Sequence, residues 1–165
     1  METPLQYKAR IQGLMTGKDP VTVQRSTVSQ LEALIGRVPA EKLNQRPAPD
    51  KWSVTEILAH LSEAEVTAFW RYRQMLEFDG CPLAPYGQEL WAALGGYAHR
   101  DPHESLQLFR LLRQANLQMF DRLTPDEWQR HGVHAERGEM TVKDLALQIA
   151  GHGINHLAQI ETLLK

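Results

Sequence analysis

Cysteine is nearly absent from the sequence. Cys81 is the only one among 165 residues, and a single thiol excludes both an intrachain disulfide and a cysteine-rich metal cluster. Because no histidine lies near it along the chain, we interpret Cys81 as a small loop residue and not as a nucleophile. One unpaired cysteine fits a reducing compartment, so we expect a cytoplasmic protein.

Long apolar runs and an excess of basic residues are also missing. No apolar stretch approaches the roughly 20 residues of a membrane-spanning helix, and the opening METPLQYKARIQGLM lacks the apolar core of a signal peptide. The 18 Lys and Arg residues are balanced by 20 Asp and Glu residues, which gives no basic surface for binding phosphates. These absences argue against a membrane and against nucleic acid as partners.

What remains is an ordinary globular composition, with 42% hydrophobic and 23% charged residues. A chain of this length is expected to fold around one core. We therefore expect a single domain spanning residues 1–165.

Apolar residues recur at helical spacing in four segments, and no segment shows a sustained strand-type alternation. This pattern predicts an all-α protein, a four-helix bundle of the up-and-down type. The predicted helices run from Pro20 to Arg37, from Ser53 to about Glu77, from Asp101 to Leu123 and from Thr141 to the C-terminus.

Two of these helices begin with the same pattern. Ser53 with Glu56, and Thr141 with Asp144, have the spacing of a capping box. The hexapeptides WSVTEI (52–57) and MTVKDL (140–145) align, as do VPAEKL and LTPDEW upstream of them. The matches indicate either a duplicated helical hairpin or the common rules of helix capping.

The connection between the second and third predicted helices, residues 77–100, is too long for a simple bundle turn. Within it, QELWAALG predicts a short helix, so the connection is partly helical. Tyr86 and Trp91 either roof a pocket or anchor the connection to the core, and the anchoring role is favoured.

Two histidines stand one helical turn apart near the C-terminus. At about 100° per residue, His152 and His156 lie within the apolar stripe of the fourth predicted helix, so both are expected to point into the bundle. Gly151 and Gly153 flank His152, and each costs about 1 kcal/mol relative to alanine within a helix. Their presence predicts that a neighbouring helix or a ligand comes close to the backbone there.

A third histidine, His60, lies at the edge of the apolar stripe of the second predicted helix. Buried imidazoles without partners each cost on the order of 1–3 kcal/mol. One divalent ion would give all three rings a partner, in the arrangement of a catalytic zinc site with one open coordination position, and nickel or iron would also accept it. The alternative is a set of core histidines satisfied by backbone carbonyls or water.

The other four histidines are not assigned to this site. His99 and His103 share the spacing of one helical turn, but Pro102 between them disfavours a common helix. His131 and His134 belong to the polar stretch RHGVHAERGE and are expected to be solvated.

No general base is assigned from the carboxylates near His60. Glu56 and Glu63 fall outside the apolar stripe by helical angle and are expected to be solvated. Asn116 lies near the inward face of the third predicted helix, where it either contacts a ligand of the metal or is satisfied within the bundle. The second reading is favoured.

The stretches WSVTEILAH (52–60) and HGINHLAQI (152–160) resemble the paired motifs of the DinB-like superfamily of four-helix-bundle metalloenzymes. The resemblance covers most of the chain and implies that His60, His152 and His156 bind one divalent metal ion. Nickel and zinc are the usual ions, with iron or manganese as other candidates. Relatives often carry two adjacent histidines where this chain has Asn155 and His156. Any role that the first of those two histidines has in the relatives is therefore absent here.

Characterised members of the superfamily include thiol-dependent S-transferases and a mycothiol-dependent isomerase. The resemblance therefore favours a transferase that activates a low-molecular-weight thiol, used as cosubstrate, against a small-molecule substrate. A metal-dependent hydrolase using water is one alternative, and a non-enzymatic, stress-related metal-binding or interaction module is another. The resemblance also implies a homodimer, for which Trp91 and Tyr97 offer apolar surface.

Overall fold

The computed structural model describes residues 4–165, so residues 1–3 of the predicted domain and of the N-terminal stretch considered above lie outside the described residues. In chain order the elements are α1 (Pro4–Leu14), α2 (Pro20–Ile35), α3 (Ala40–Asn44), α4 (Val54–Glu77), β1 (Cys81–Leu83), α5 (Gln88–Leu94), a 3-10 turn (Tyr97–His99), α6 (Pro102–Phe120), α7 (Pro125–Gln129), β2 (His131–His134), β3 (Gly138–Thr141) and α8 (Val142–Leu164).

The long helices begin where their capping residues predict. The Ser53 side chain accepts a hydrogen bond from the Glu56 backbone N–H while Glu56 caps Ser53 in return, and Thr141 and Asp144 form the same capping box at α8. Asp101 accepts hydrogen bonds from two backbone N–H groups at the start of α6. Each cap satisfies donors that have no partner within the helix, which fixes the first turn.

The four long helices form the bundle. Helix α4 packs against α6 and α8, and α2 packs against the same two helices, so the consecutive helices α2 and α4 occupy diagonal positions. Helix α1 lies against α8. The prediction of an all-α four-helix bundle with a long, partly helical connection between its second and third helices is confirmed, and α5 is the short helix predicted from QELWAALG.

A small three-stranded sheet was not predicted. Strand β1 pairs in parallel with β2, and β2 pairs antiparallel with β3, with His131 opposite Thr141 and His134 opposite Gly138. The strands are three or four residues long, which is too short for a detectable alternation of apolar and polar residues. Since β3 runs directly into α8, the sheet holds the N-terminal end of that helix against the 77–100 connection.

The bundle interior contains two apolar clusters separated by a polar layer. One cluster includes Tyr72, Phe120 and Leu145, and the other includes Leu31, Ile57 and Phe109. The buried or half-buried polar side chains that lie between the clusters along the long helices include Gln24 of α2, His60 and Glu65 of α4, Arg113 and Asn116 of α6, and His152 and His156 of α8.

The two glycines beside His152 serve helix packing. A Cβ atom on Gly151 would lie 2.5 Å from the Ile11 side chain and 2.8 Å from the Ile11 carbonyl oxygen, both on α1. A Cβ atom on Gly153 would lie 3.2 Å from the Thr27 side chain on α2. Of the two explanations for these glycines, a close neighbouring helix is the one observed, and the close approach sets the position of His152 between α1 and α2.

Among residues 4–165, no helix is both long enough and apolar enough to cross a membrane.

Candidate metal centre

The three histidines singled out from the sequence come together in the central polar layer. The Nε2 atom of His152 lies 3.0 Å from Nε2 of His60 and 3.1 Å from Nε2 of His156. One nitrogen from each ring falls within 4.8 Å of the other two. Because α4 and α8 pack side by side, residues more than ninety positions apart along the chain meet at one point.

All three imidazoles are neutral near pH 7. Burial, with a smaller contribution from the neighbouring His156, lowers the pKa of His60 to about 3. Burial likewise lowers the pKa of His156 to about 4, and it holds the pKa of His152 well below the ordinary value. A neutral imidazole carries a free lone pair on one nitrogen, which is the form that binds metals.

Gln159 fixes which nitrogen of His156 carries the proton. Nδ1 of His156 lies 2.9 Å from the Gln159 side-chain oxygen, which only accepts hydrogen bonds. Nδ1 of the neutral ring therefore donates, and Nε2 is left as a lone pair that faces His152 and His60. A hydrogen bond from the outer nitrogen is the usual way in which a metal-binding histidine is oriented.

The donor set fits a divalent transition metal. Imidazole nitrogens bind zinc at about 2.0–2.1 Å, which leaves two ligands of one ion roughly 3 Å apart. The separations of 3.0 and 3.1 Å between the Nε2 atoms match this spacing. Three imidazoles without a thiolate suit zinc, nickel or iron.

An aromatic wall closes one side of this cluster. The Trp52 ring lies 5.2 Å from the His60 ring and 6.0 Å from the Tyr97 ring, measured between centroids. Tyr97 in turn donates a hydrogen bond of 2.7 Å to Glu63 of α4, and Arg100 forms a salt bridge with the same carboxylate. The end of the 77–100 connection is thereby anchored beside His60.

A cavity of about 340 Å³ opens next to the histidines. Its lining includes His60 and His152 together with Ala64 and Ala68, the small residues of the next two turns of α4. Tyr86 of the connection also lines the cavity, and its ring packs on Trp91 with centroids 4.4 Å apart. The volume suits a small molecule, and Tyr86 takes the roofing role considered for it from the sequence.

The remaining four histidines do not belong to the cluster. Of the two that were predicted to be solvated, His131 and His134, one is buried. His134 is buried in β2 and lines the cavity, so the prediction is wrong for this residue. The cause is the unpredicted sheet, which turns His134 inward. His131 is half-buried, and its Nδ1 lies 2.9 Å from Asp79. His99 and His103 fall in separate elements, as Pro102 indicated.

The predictions for Glu56 and Glu63 are also wrong, whereas that for Asn116 is confirmed. Glu56 is buried because it completes its capping box and forms a salt bridge with Arg46, and Glu63 is half-buried against Tyr97 and Arg100. Asn116 donates to Glu65 at 2.9 Å and accepts from Arg73 at 3.0 Å. The predictions for the two glutamates considered only the position of each residue around its helix. They left out the segments that pack against the outer face of α4 and cover both side chains.

Two further findings concern residues named from the sequence. Asn155, at the position where relatives often have a histidine, accepts a hydrogen bond of 2.5 Å from Arg10 of α1. Tyr97 is buried, so the prediction that it offers apolar surface for a homodimer is wrong, while Trp91 is half-buried. The buried Tyr97 ring is occupied by its contacts with Trp52 and Glu63.

Gln159 offers a test of the orientation of His156. We expect Gln159→Ala to weaken zinc binding about tenfold or more, because the His156 ring loses the hydrogen bond that selects its proton position. Zinc affinity is measured by competition with a chromogenic chelator. The matched control is Glu161→Ala, an exposed residue two positions further along α8, which should leave the affinity unchanged. Equal affinity in wild type and Gln159→Ala would contradict an orienting role.

A helical bundle that gathers neutral imidazoles from facing helices beside a cavity is the architecture of helical metal-binding proteins. The family model of the DinB superfamily matches residues 25–160, and the chain belongs to this superfamily. The resemblance stated from the two histidine motifs is thereby confirmed.

Relatives and solved structures agree with this assignment. The chain is 28% identical to "Putative metal-dependent hydrolase OB0782" of Oceanobacillus iheyensis over 127 residues, which cover 76% of this chain and 72% of that protein. It is similar in structure to YfiT of Bacillus subtilis, described as "a probable metal-dependent hydrolase with an unusual four-helix bundle topology", with a TM-score of 0.81 and 18% identity over 98% of this chain and 87% of YfiT.

A second structural likeness is to a mycothiol-dependent maleylpyruvate isomerase. The TM-score is 0.69 at 11% identity, and the match covers 86% of this chain and 59% of that one. At such identities the two structural likenesses establish the bundle fold, while the chemistry has to be argued from the residues of this chain.

Proposed function

We propose that this protein is a metal-dependent transferase in which His60, His152 and His156 hold one divalent ion, nickel or zinc, and an external low-molecular-weight thiol is the nucleophile. The observation that carries the proposal is the convergence of three neutral imidazole nitrogens beside a cavity. An ion held there would supply Lewis acidity, which lowers the pKa of a thiol or of water that binds it.

The residues of the chain have their own part in this reaction. Gln159 holds the His156 ring in its orientation, and the small side chains of Ala64 and Ala68 leave space for a substrate along α4. Leu145 and Ile149 of α8 line the same cavity and exclude water from part of it. In the transfer, the thiol sulfur forms a bond to an electrophilic carbon, the leaving group departs with its electron pair, and the thiol proton passes to solvent.

The thiol has to come from outside the chain. Cys81 is buried in β1 among apolar side chains, and burial raises the pKa of its thiol. It is absent from the residues found to line the cavity. A low-molecular-weight thiol that enters the cavity is therefore the nucleophile in this proposal.

The relatives favour a second candidate. Several proteins that are 21–28% identical to this chain carry the name "Putative metal-dependent hydrolase". The same three histidines would serve a hydrolase in which water is the nucleophile. A metal-binding module without a reaction is the third candidate, and the homodimer and the cytoplasmic location stay predictions beside all three.

One set of assays separates the candidates. The zinc-loaded and the nickel-loaded protein are each incubated with a panel of low-molecular-weight thiols and a chloro-nitroaromatic electrophile, and thiol consumption is followed. The His156→Ala protein serves as the control for background reaction. The transferase predicts thiol consumption well above this control with at least one thiol of the panel.

The contrary outcomes are equally distinct. Thiol consumption no faster than with His156→Ala across the panel would reject the transferase. Turnover of ester or amide substrates without any thiol would instead support the hydrolase. Metal binding without either activity would support the non-enzymatic module.

A further inference from the structure

Arg71 is a buried charge that has no matching anion within residues 4–165. Its residue is 7% exposed on α4, eleven positions after His60, which places both side chains on the same face of the helix. The guanidinium donates a hydrogen bond of 2.6 Å to the Ala84 carbonyl oxygen and lies 5.9 Å from the centre of the Tyr86 ring. Arg71 lines the same cavity as His60 and His152.

Three other arginines, by contrast, have carboxylate partners. Arg113 forms two hydrogen bonds with Glu65, at 2.9 and 2.8 Å, and salt bridges join Arg46 to Glu56 and Arg100 to Glu63. Within residues 4–165, Arg71 forms no salt bridge. A buried charge is costly unless it is paired.

A second guanidinium lines the cavity. Arg137, in the turn between β2 and β3, contributes to the wall and likewise forms no salt bridge within the described part of the chain. Burial lowers the pKa of Arg71, and the positive charge of Arg137 lowers it further. Two like charges beside one cavity repel each other until an anion lies between them.

Neutral donors complete this part of the wall. The Nδ1 atom of His134 accepts a hydrogen bond of 3.2 Å from the Glu136 backbone N–H, so the proton of the neutral ring is on Nε2. Burial lowers the pKa of His134, which keeps the ring neutral near pH 7, and burial raises the pKa of Tyr86, which keeps its hydroxyl protonated. Both residues line the cavity and carry a proton to donate.

We propose that Arg71 and Arg137 bind the carboxylate group of a small organic substrate whose reactive end lies toward His60 and His152. The inference rests on the proposed function in that it takes this cavity as the substrate site. A guanidinium presents parallel N–H donors whose fork matches a carboxylate. The substrate is thereby assigned to the organic carboxylates.

The charge of the cavity wall favours a carboxylate over a phosphate. Glu136 is the carboxylate found in the described lining, so the lining carries two positive guanidinium charges and one negative charge. In the metal-depleted protein, the remaining single positive charge matches a monoanion better than the doubly charged form of a phosphate monoester. A neighbouring cavity of about 450 Å³ also has Arg137 and Glu136 in its wall, which leaves room for the rest of an organic acid.

The test compares three probes that share a phenyl ring. Binding of benzoate, of neutral benzamide and of phenyl phosphate is measured by titration calorimetry on the full chain, once zinc-loaded and once metal-depleted. We expect benzoate to bind in both states, and in the metal-depleted protein to bind more tightly than either other probe. Arg137→Gln and Arg71→Gln should each weaken benzoate binding about tenfold or more, as expected for loss of a hydrogen bond to a charged group.

The variants include their own controls. Arg37→Gln removes the same charge from an exposed position after α2 and should leave benzoate binding unchanged. Arg71 also holds the Ala84 carbonyl, so Arg137→Gln, at an exposed position, keeps the test valid if Arg71→Gln does not fold. Measurements on metal-depleted protein make the result independent of whether the histidines bind metal.

Three results would overturn the inference. Equal binding of benzoate and benzamide would show that charge plays no part. Wild-type affinity for benzoate in folded Arg137→Gln and Arg71→Gln proteins would show that these residues do not hold the carboxylate. Tighter binding of phenyl phosphate than of benzoate to the metal-depleted protein would assign the site to phosphates.

Discussion

Replacing His152 by alanine is expected to lower the metal content of the purified protein from about one divalent ion per chain to less than about a tenth of that value. The Nε2 atom of His152 lies close to both other Nε2 atoms, at 3.0 and 3.1 Å. Its loss leaves two imidazoles, which hold a divalent ion weakly. Metal content is measured by elemental analysis after dialysis.

The matched control for this prediction is His103→Ala. His103 is exposed in the first turn of α6 and lies outside the cluster of three histidines. This variant should keep the full metal content, and circular dichroism should show that both variants retain the helical fold. A folded His152→Ala protein with undiminished metal content would show that the ligand set is wrong.

The second large effect is expected for the buried salt bridge of the polar layer. Replacing Glu65 by glutamine should lower the free energy of unfolding by about 3–5 kcal/mol, because it leaves the Arg113 charge buried without a counter-charge. Both side chains are 1% exposed. Glu65 also accepts a hydrogen bond of 2.9 Å from Asn116, so one carboxylate joins α4 to two residues of α6. Denaturation by urea measures the change.

An exposed salt bridge of the same bundle is the control. Arg25 of α2 and Asp121 at the end of α6 form a pair at 2.9 Å with half of each side chain exposed. Asp121→Asn should change the free energy of unfolding by less than about 1 kcal/mol, as is usual for surface pairs. A decrease of less than about 1 kcal/mol in the free energy of unfolding of Glu65→Gln would mean that the buried pair does little to hold α4 and α6 together.

The histidine cluster was predictable because its signals are local. His152 and His156 lie one turn apart within an apolar stripe, and the capping boxes at Ser53 and Thr141 set the starts of the helices that carry all three rings. Helical periodicity and capping follow from neighbours in sequence. The sequence did not show which of the four helices pack side by side, but a four-helix bundle allows only a few arrangements.

The surroundings of the cluster were missed because they depend on contacts distant in sequence. Strand β2, and with it the burial of His134, exists only through pairing with β1 and β3. Strand β1 lies far from β2 along the chain, and all three strands are too short to recognise in the sequence. The burial of Glu63 depends on Tyr97 and Arg100 across the long connection. Alternation within four residues gives no usable signal for such pairing.

Two further residues of the candidate site did carry a signal that periodicity reveals. Gln159 follows His156 by three positions, which brings the two side chains together on a helix. Arg71 follows His60 by eleven positions, which is about three turns and returns to the same face. A charged residue on the inward face of a helix that also carries a metal-binding histidine is a candidate for the substrate site.

The central claim is that His60, His152 and His156 hold one divalent ion, and anomalous diffraction tests it most directly. Crystals of protein purified without added chelator are measured at the absorption edges of nickel and zinc. We expect one anomalous peak per chain, about 2.0–2.2 Å from the Nε2 atoms of all three histidines. A strong peak elsewhere in the chain, or none at the three histidines in crystals soaked with either metal, would contradict it.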